Sequence, residues 1–201
     1  MDRAKYAEMC RKCEAWPAGW KDAGRDRIWR SDVFEVAARW QRGHAPARHL
    51  LAATLVWGHG TNGYGPVRTG WSLATPGVDA RLDAALMDIR SESPDPDALV
   101  AAYQRLRDPA VSKITFMRAS FFTKLLYFAG YRRGAGGVQP LILDSVVAGR
   151  LPEEVGIRRP QSSRDFPNWP AVQWLRYLEW AAVQAGSEEP DTVELGLFNQ
   201  K

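Results

Sequence analysis

Apolar residues in this chain recur at helical spacing and almost nowhere alternate, which constrains the fold more than any other feature. Trp29, Val33, Phe34, Val36, Ala37 and Trp40 follow an i, i+3, i+4, i+7 pattern. A half-buried strand would instead repeat every second residue. Helical patterning also covers residues 46–57, two amphipathic segments between Asp79 and Leu106 and residues 170–185, beside a strongly apolar stretch at 113–130 and a short final segment at 191–198. Ser31 or Asp32 is positioned to cap the first run, Pro46 fits a first helical turn, and Asp95 to Asp97 fit the start of another helix. The expectation is one all-α domain over residues 1–201, without internal repeats.

Glycine-rich segments punctuate this pattern. Gly58-His59-Gly60-Thr61-Asn62-Gly63-Tyr64-Gly65-Pro66 holds four glycines in nine residues and reads as a turn with positive φ or close backbone approach. Arg132 to Gly137 is a basic glycine-rich loop, and residues 150–170 are rich in Pro, Arg and Ser. The longest apolar stretch, Leu50 to Trp57, is too short to span a bilayer, and the charged start after Met1 does not read as a signal segment, so a cytoplasmic protein is expected. A net charge of +4 is compatible with an anionic partner without demanding one. Cys10 and Cys13 form a lone CxxC with no further ligand-spaced Cys or His, so a metal site is not expected.

Two residues break the apolar pattern in chemically suggestive ways. Lys124 lies within FFTKLLYFAG, where it either snorkels to solvent or sits in a cleft that favours the neutral, nucleophilic amine. Asp144 interrupts PLILDSVV, where it either caps a helix starting at Ser145 or Val146 or presents a partly dehydrated carboxylate to developing positive charge. An intervening glycine loop lets the two side chains converge.

Thr123-Lys124-Leu125-Leu126, followed by Leu143-Asp144-Ser145-Val146-Val147, resembles the catalytic part of the helix-hairpin-helix DNA glycosylases, within them the 8-oxoguanine glycosylase fold. The resemblance implies an all-α glycosylase fold with a degenerate helix-hairpin-helix element, the hairpin and catalytic segment falling at 113–148. Lys124 matches the family's nucleophile and Asp144 its aspartate. The chain departs from the family in two places. Arg118-Ala119-Ser120-Phe121-Phe122-Thr123-Lys124 replaces a hairpin that normally carries two glycines, and Val146 stands where a His is common. These departures mark a divergent member.

The implied reaction is excision of an oxidised or otherwise modified base from duplex DNA. Lys124 would form a Schiff base at C1′ of the extruded nucleotide, with strand nicking by β-elimination. Neither metal nor organic cofactor is needed, and a monomer acting on double-stranded DNA is expected. His59, Asn62 and Tyr64 on the glycine turn are candidates for filling the duplex void, while Lys113, Arg118, Arg132 and Arg133 are candidate phosphate contacts. Trp180 and Phe198 are candidate base-pocket aromatics. An oxidised purine such as 8-oxoguanine is the family default, and a bulky modified pyrimidine of the kind found in phage DNA would also suit a divergent pocket, with a defence role then open. A non-catalytic DNA-binding module of the same fold and a helical protein-interaction domain are the competing readings.

Overall fold

The computed structural model describes residues 3–17, 20, 28–61, 63–90, 95–108, 110, 114–162, 165 and 167–200. Its helices are α1 (Arg3–Lys12), α2 (Arg30–Gln41), α3 (Ala47–His59), α4 (Gly65–Leu73), α5 (Val78–Leu86), α6 (Pro96–Arg107), α7 (Ala119–Gly130), α8 (Ser145–Arg150), α9 (Ala171–Ala185) and α10 (Pro190–Asn199). Short 3-10 turns occupy Met87–Arg90 and Glu153–Val155. Among the described residues there is no strand, so the all-α expectation holds. No helix among them is long and apolar enough to cross a membrane.

Two helices are apolar nearly all round and form the centre. In α3 the run Leu50 to Val56 is entirely buried, and in α7 every residue from Phe122 to Gly130 is buried. A helix without a polar face has to be covered on all sides. Accordingly α3 packs against α2, α4, α5 and α7, while α7 also meets α2 and α6. Further along the chain, α9 packs on α6 and α10, and α10 on α8. Aromatic contacts bind the layers: Tyr103 of α6 stacks on Trp174 of α9 at 4.9 Å and meets Phe122 of α7 edge-on at 4.8 Å.

Local capping explains the helix starts. Asp95 accepts the Ala98 N–H at 2.7 Å ahead of Pro96 in the first turn of α6, as its sequence implies. The start of α2 differs from expectation. Trp29 is the cap residue, and Asp32 reaches back to accept the Trp29 N–H at 2.7 Å, the reciprocal half of a capping box. Pro46 likewise lies just outside α3 as its cap residue.

The helix α4 carries no clear signal in the sequence, because Gly65 and Pro66 read as the end of a turn. Their function is different. A Cβ on Gly65 would lie 1.8 Å from the Tyr6 hydroxyl, and one on Gly70 would lie 2.4 Å from Met9 Cε. The glycines let α1 lie directly on α4. Among the described residues of this region only Gly60, which ends α3, has positive φ. Cys10 of the CxxC is buried in α1, and burial, with Cys13 beside it, pushes its thiol up to about 12. Such a thiol is chemically quiet at neutral pH.

Candidate active site

The segment that brings the two anomalous residues together is built by hydrogen bonds that replace regular strand pairing. After α7 the chain turns through Gly134, Gly136 and Gly137, all at positive φ. Buried Gln139 closes that loop, accepting the Arg132 N–H at 3.0 Å and donating to Gly136 O at 3.0 Å. Residues 141–143 then run back along α7. There Trp174 Nε1 donates to Leu141 O at 3.0 Å, and the buried Thr123 hydroxyl accepts the Leu143 N–H at 3.1 Å. The single Thr123 proton lies within reach of Ala119 O at 2.8 Å and Leu143 O at 3.2 Å.

Thr123 therefore fixes the register between Lys124 and Asp144, its neighbours on the two segments. Thr123→Val, which keeps the shape but removes the acceptor, leaves a buried N–H unpaired. It is expected to lower stability by about 1–3 kcal/mol, checked by denaturant unfolding, and to slow any chemistry at the site.

Lys124 Nζ lies 2.8 Å from Asp144 Oδ2 and 3.0 Å from Ser120 O. The lysine is 8% exposed, so it does not snorkel. Asp144 caps a helix, as one of its sequence readings has it, and uses its two oxygens for different partners. Oδ1 caps α8, accepting Val146 N–H at 3.0 Å and Val147 N–H at 3.2 Å, while Oδ2 holds the lysine. Burial works against the charge on Asp144, but the Lys124 ammonium and the two N–H donors outweigh it and hold the carboxyl below the usual carboxylate range.

A depressed carboxyl pKa contributes stability that is present above the unfolded-state value and lost as pH falls through the folded one. Melting temperature against pH is therefore expected to fall below about pH 4 in the wild type, and Asp144→Asn should flatten that decline.

The pair lines a cavity of about 300 Å³, at the small end of ligand-sized pockets. Trp57, Ile142, Leu195 and Phe198 give it apolar walls. Gly58 leaves room for the lysine stem, since a Cβ there would stand 3.2 Å from Lys124 Cδ. Opposite lie Arg30 and Glu194, joined at 2.9 Å. The Arg30 guanidinium also sits over the Trp57 and Tyr127 rings, 5.4 and 5.3 Å from their centroids.

Burial raises the Glu194 pKa against the pull of Arg30, and its Oε2 has no hydrogen-bond partner among the described residues. A larger cavity of about 590 Å³ between α2 and α7 shares Arg30 but contains neither Lys124 nor Asp144.

The remaining candidates from the sequence are placed unevenly. Phe198 lines the cavity. Trp180 does not, packing instead against the core from α9, and Trp57 supplies the second aromatic wall. His59 is half-buried at the end of α3 with its ring 4.4 Å from Phe121. Burial, then the charges of Arg68 and Lys124, lowers its pKa to about 4, so it is neutral at pH 7. Tyr64 is exposed.

Arg118 is exposed at the start of α7. Arg132 spends its guanidinium on Ile89 O, Ala129 O and Tyr131 O, and is thus a structural anchor. Arg133 pairs with Asp191 at 3.0 Å. Asn62 and Lys113 lie outside the described residues.

Arg30, Trp57 and Glu194 escape sequence reasoning, although Glu194 within VELGLF carries the same signal as Asp144, a lone carboxylate among apolar neighbours.

No curated protein and no solved structure matches the chain. A family model described as "Putative 8-oxoguanine DNA glycosylase OGG-like protein" matches residues 2–198. A helical chain matched over nearly its whole length, with a buried lysine in contact with a partly buried aspartate at one cavity, thus belongs to the OGG-like family.

Proposed function

We propose that the protein is a DNA glycosylase with associated β-lyase activity, acting on a base swung out of the duplex into the cavity beside Lys124 and Asp144. The observation that carries this reading is the 2.8 Å contact between the two side chains at the wall of a ligand-sized cavity. A target atom inside stacked DNA is out of reach of such a site, so the nucleotide has to be extruded.

In the resting site the low Asp144 pKa keeps the carboxylate ionised and weakly basic. That suits it to stabilise positive charge on the sugar as the C1′–N bond breaks and the bonding electrons leave with the base. The base takes up a proton. Lys124 supplies that proton from its ammonium, the freed amine bonds to C1′, and a second proton passes from Nζ to the ring oxygen as the C1′–O4′ bond breaks to give the protonated imine. As the amine moves off Asp144 the carboxylate loses its counter-charge and becomes a better proton acceptor. Loss of a C2′ proton and cleavage of the C3′–O bond then nick the strand. The imine is the species that borohydride reduces to a stable amine.

The cavity lining supports a flat base. Trp57 and Phe198 offer stacking faces, and the Glu194 carboxylate is a polar group in the cavity lining. The test is excision from duplexes carrying 8-oxoguanine, modified pyrimidines or an abasic site. Release of a free base followed by a nick supports the reading. Binding without release on every duplex would instead identify a non-catalytic module.

A further inference from the structure

Ahead of α7 the chain makes a turn closed by the Met117 N–H to Ile114 O at 3.2 Å. Phe116 occupies its third position with φ of +62°. That conformation ordinarily selects Gly or Asn, and a bulky aromatic there is strained. The ring is 47% exposed and stacks on Trp71 of α4, itself 51% exposed, at 5.2 Å and 23° between planes.

Buried groups hold the turn in place. The Ser72 hydroxyl donates to Thr115 O at 2.7 Å, and the Thr115 N–H reaches Thr75 Oγ1 at 3.3 Å. Strain and two large exposed rings are costs that a mere connection between helices would avoid with a glycine and a polar residue.

Charge and position indicate what covers these rings. The Arg68 guanidinium lies 5.9 Å from the Phe116 ring centroid, which marks the surface as cationic as well as aromatic. Arg68 also bears electrostatically on His59, whose ring packs on Phe121, and Phe121 in turn lies 5.8 Å from Lys124 Nζ. Arg68 is thus close enough to bear both on the aromatic pair and on His59, the ring beside Phe121 and Lys124. Aromatic faces interleaved with arginine are the chemistry that holds unstacked bases along a phosphate backbone.

We propose that Phe116 and Trp71 form a preorganised stacking shelf for an unstacked nucleobase of the DNA strand engaged at Lys124, with Arg68 contacting the adjoining phosphate. The shelf rests on the DNA reading above.

The test is fluorescence anisotropy with a labelled duplex containing an unpaired nucleotide. Phe116→Gly, which relieves the positive φ, and Trp71→Ala are each expected to weaken binding about tenfold, without a lowered melting temperature for the glycine variant. Phe116→Tyr should bind as the wild type does. Arg68→Gln should reduce the salt dependence of binding, whereas Phe116→Gly should leave it unchanged.

If the wild type forms the lysine adduct and Phe116→Gly binds DNA equally tightly, the shelf is overturned while the glycosylase reading stands. If the wild type neither binds nor reacts with any of the duplexes, the glycosylase reading fails and the shelf fails with it.

Discussion

Lys124→Gln is expected to abolish strand nicking and adduct formation while leaving binding of duplex DNA within a few-fold of the wild type. The glutamine amide nitrogen is not nucleophilic, so no bond to C1′ can form. Its polar head can still face Asp144, which limits the structural consequence of losing a buried ion pair. Asp144→Asn should act differently. The amide keeps the approximate shape of the helix cap but removes the negative charge that would face the developing sugar cation. Loss of one such electrostatic stabiliser typically lowers kcat about 10²–10³-fold, so residual activity is expected from Asp144→Asn and none from Lys124→Gln. Single-turnover base release, measured separately from nicking, distinguishes the two variants.

Arg30→Met is expected to cause the largest loss of stability among single substitutions at the site, about 3 kcal/mol or more. Arg30 is the only ion-pair partner of Glu194 among the described residues, and the Glu194 side chain is 1% exposed. Without the guanidinium, burial raises the Glu194 pKa further. The sign of the pH effect follows. An acid whose folded pKa is raised is accommodated when protonated and becomes costly as pH rises through that value. The Arg30→Met deficit should therefore be larger at pH 8 than at pH 5. Adding Glu194→Gln should recover much of the loss and remove its pH dependence, and urea unfolding of the single and double variants at both pH values checks this. A deficit independent of pH and unrelieved by the second substitution would assign the effect to lost packing of Arg30 on Trp57 and Tyr127 instead.

The contrast between these two pairs explains what could be read from sequence. Lys124 and Asp144 each interrupt an apolar run, and the glycine loop between them makes their meeting geometrically natural, so a local pattern pointed to both. Arg30 and Glu194 meet across 164 residues of chain. Nothing local at Arg30 indicates a partner. The lone carboxylate of Glu194 is visible, but its cation is not.

The helical class follows from periodicity, yet α4 is missed because Gly65 and Gly70 serve helix contact here, whereas isolated glycines usually signal turns. The apolar stretch 113–130 yields a helix only from Ala119, since the turn that places Phe116 at positive φ interrupts it. Trp180 illustrates the opposite problem. With nine tryptophans in the chain, composition alone does not tell a wall of the cavity from a wall of the core.

The central claim is that Lys124, held by Asp144, is the nucleophile of a base-excision reaction. Its most direct test is borohydride reduction of the wild-type protein with duplexes carrying modified bases or an abasic site, followed by proteolysis and mass mapping of the cross-linked peptide. The account predicts a single adduct on the peptide containing Lys124, absent from Lys124→Gln. An adduct at another amine, or DNA binding with no adduct on any of these duplexes, would contradict it.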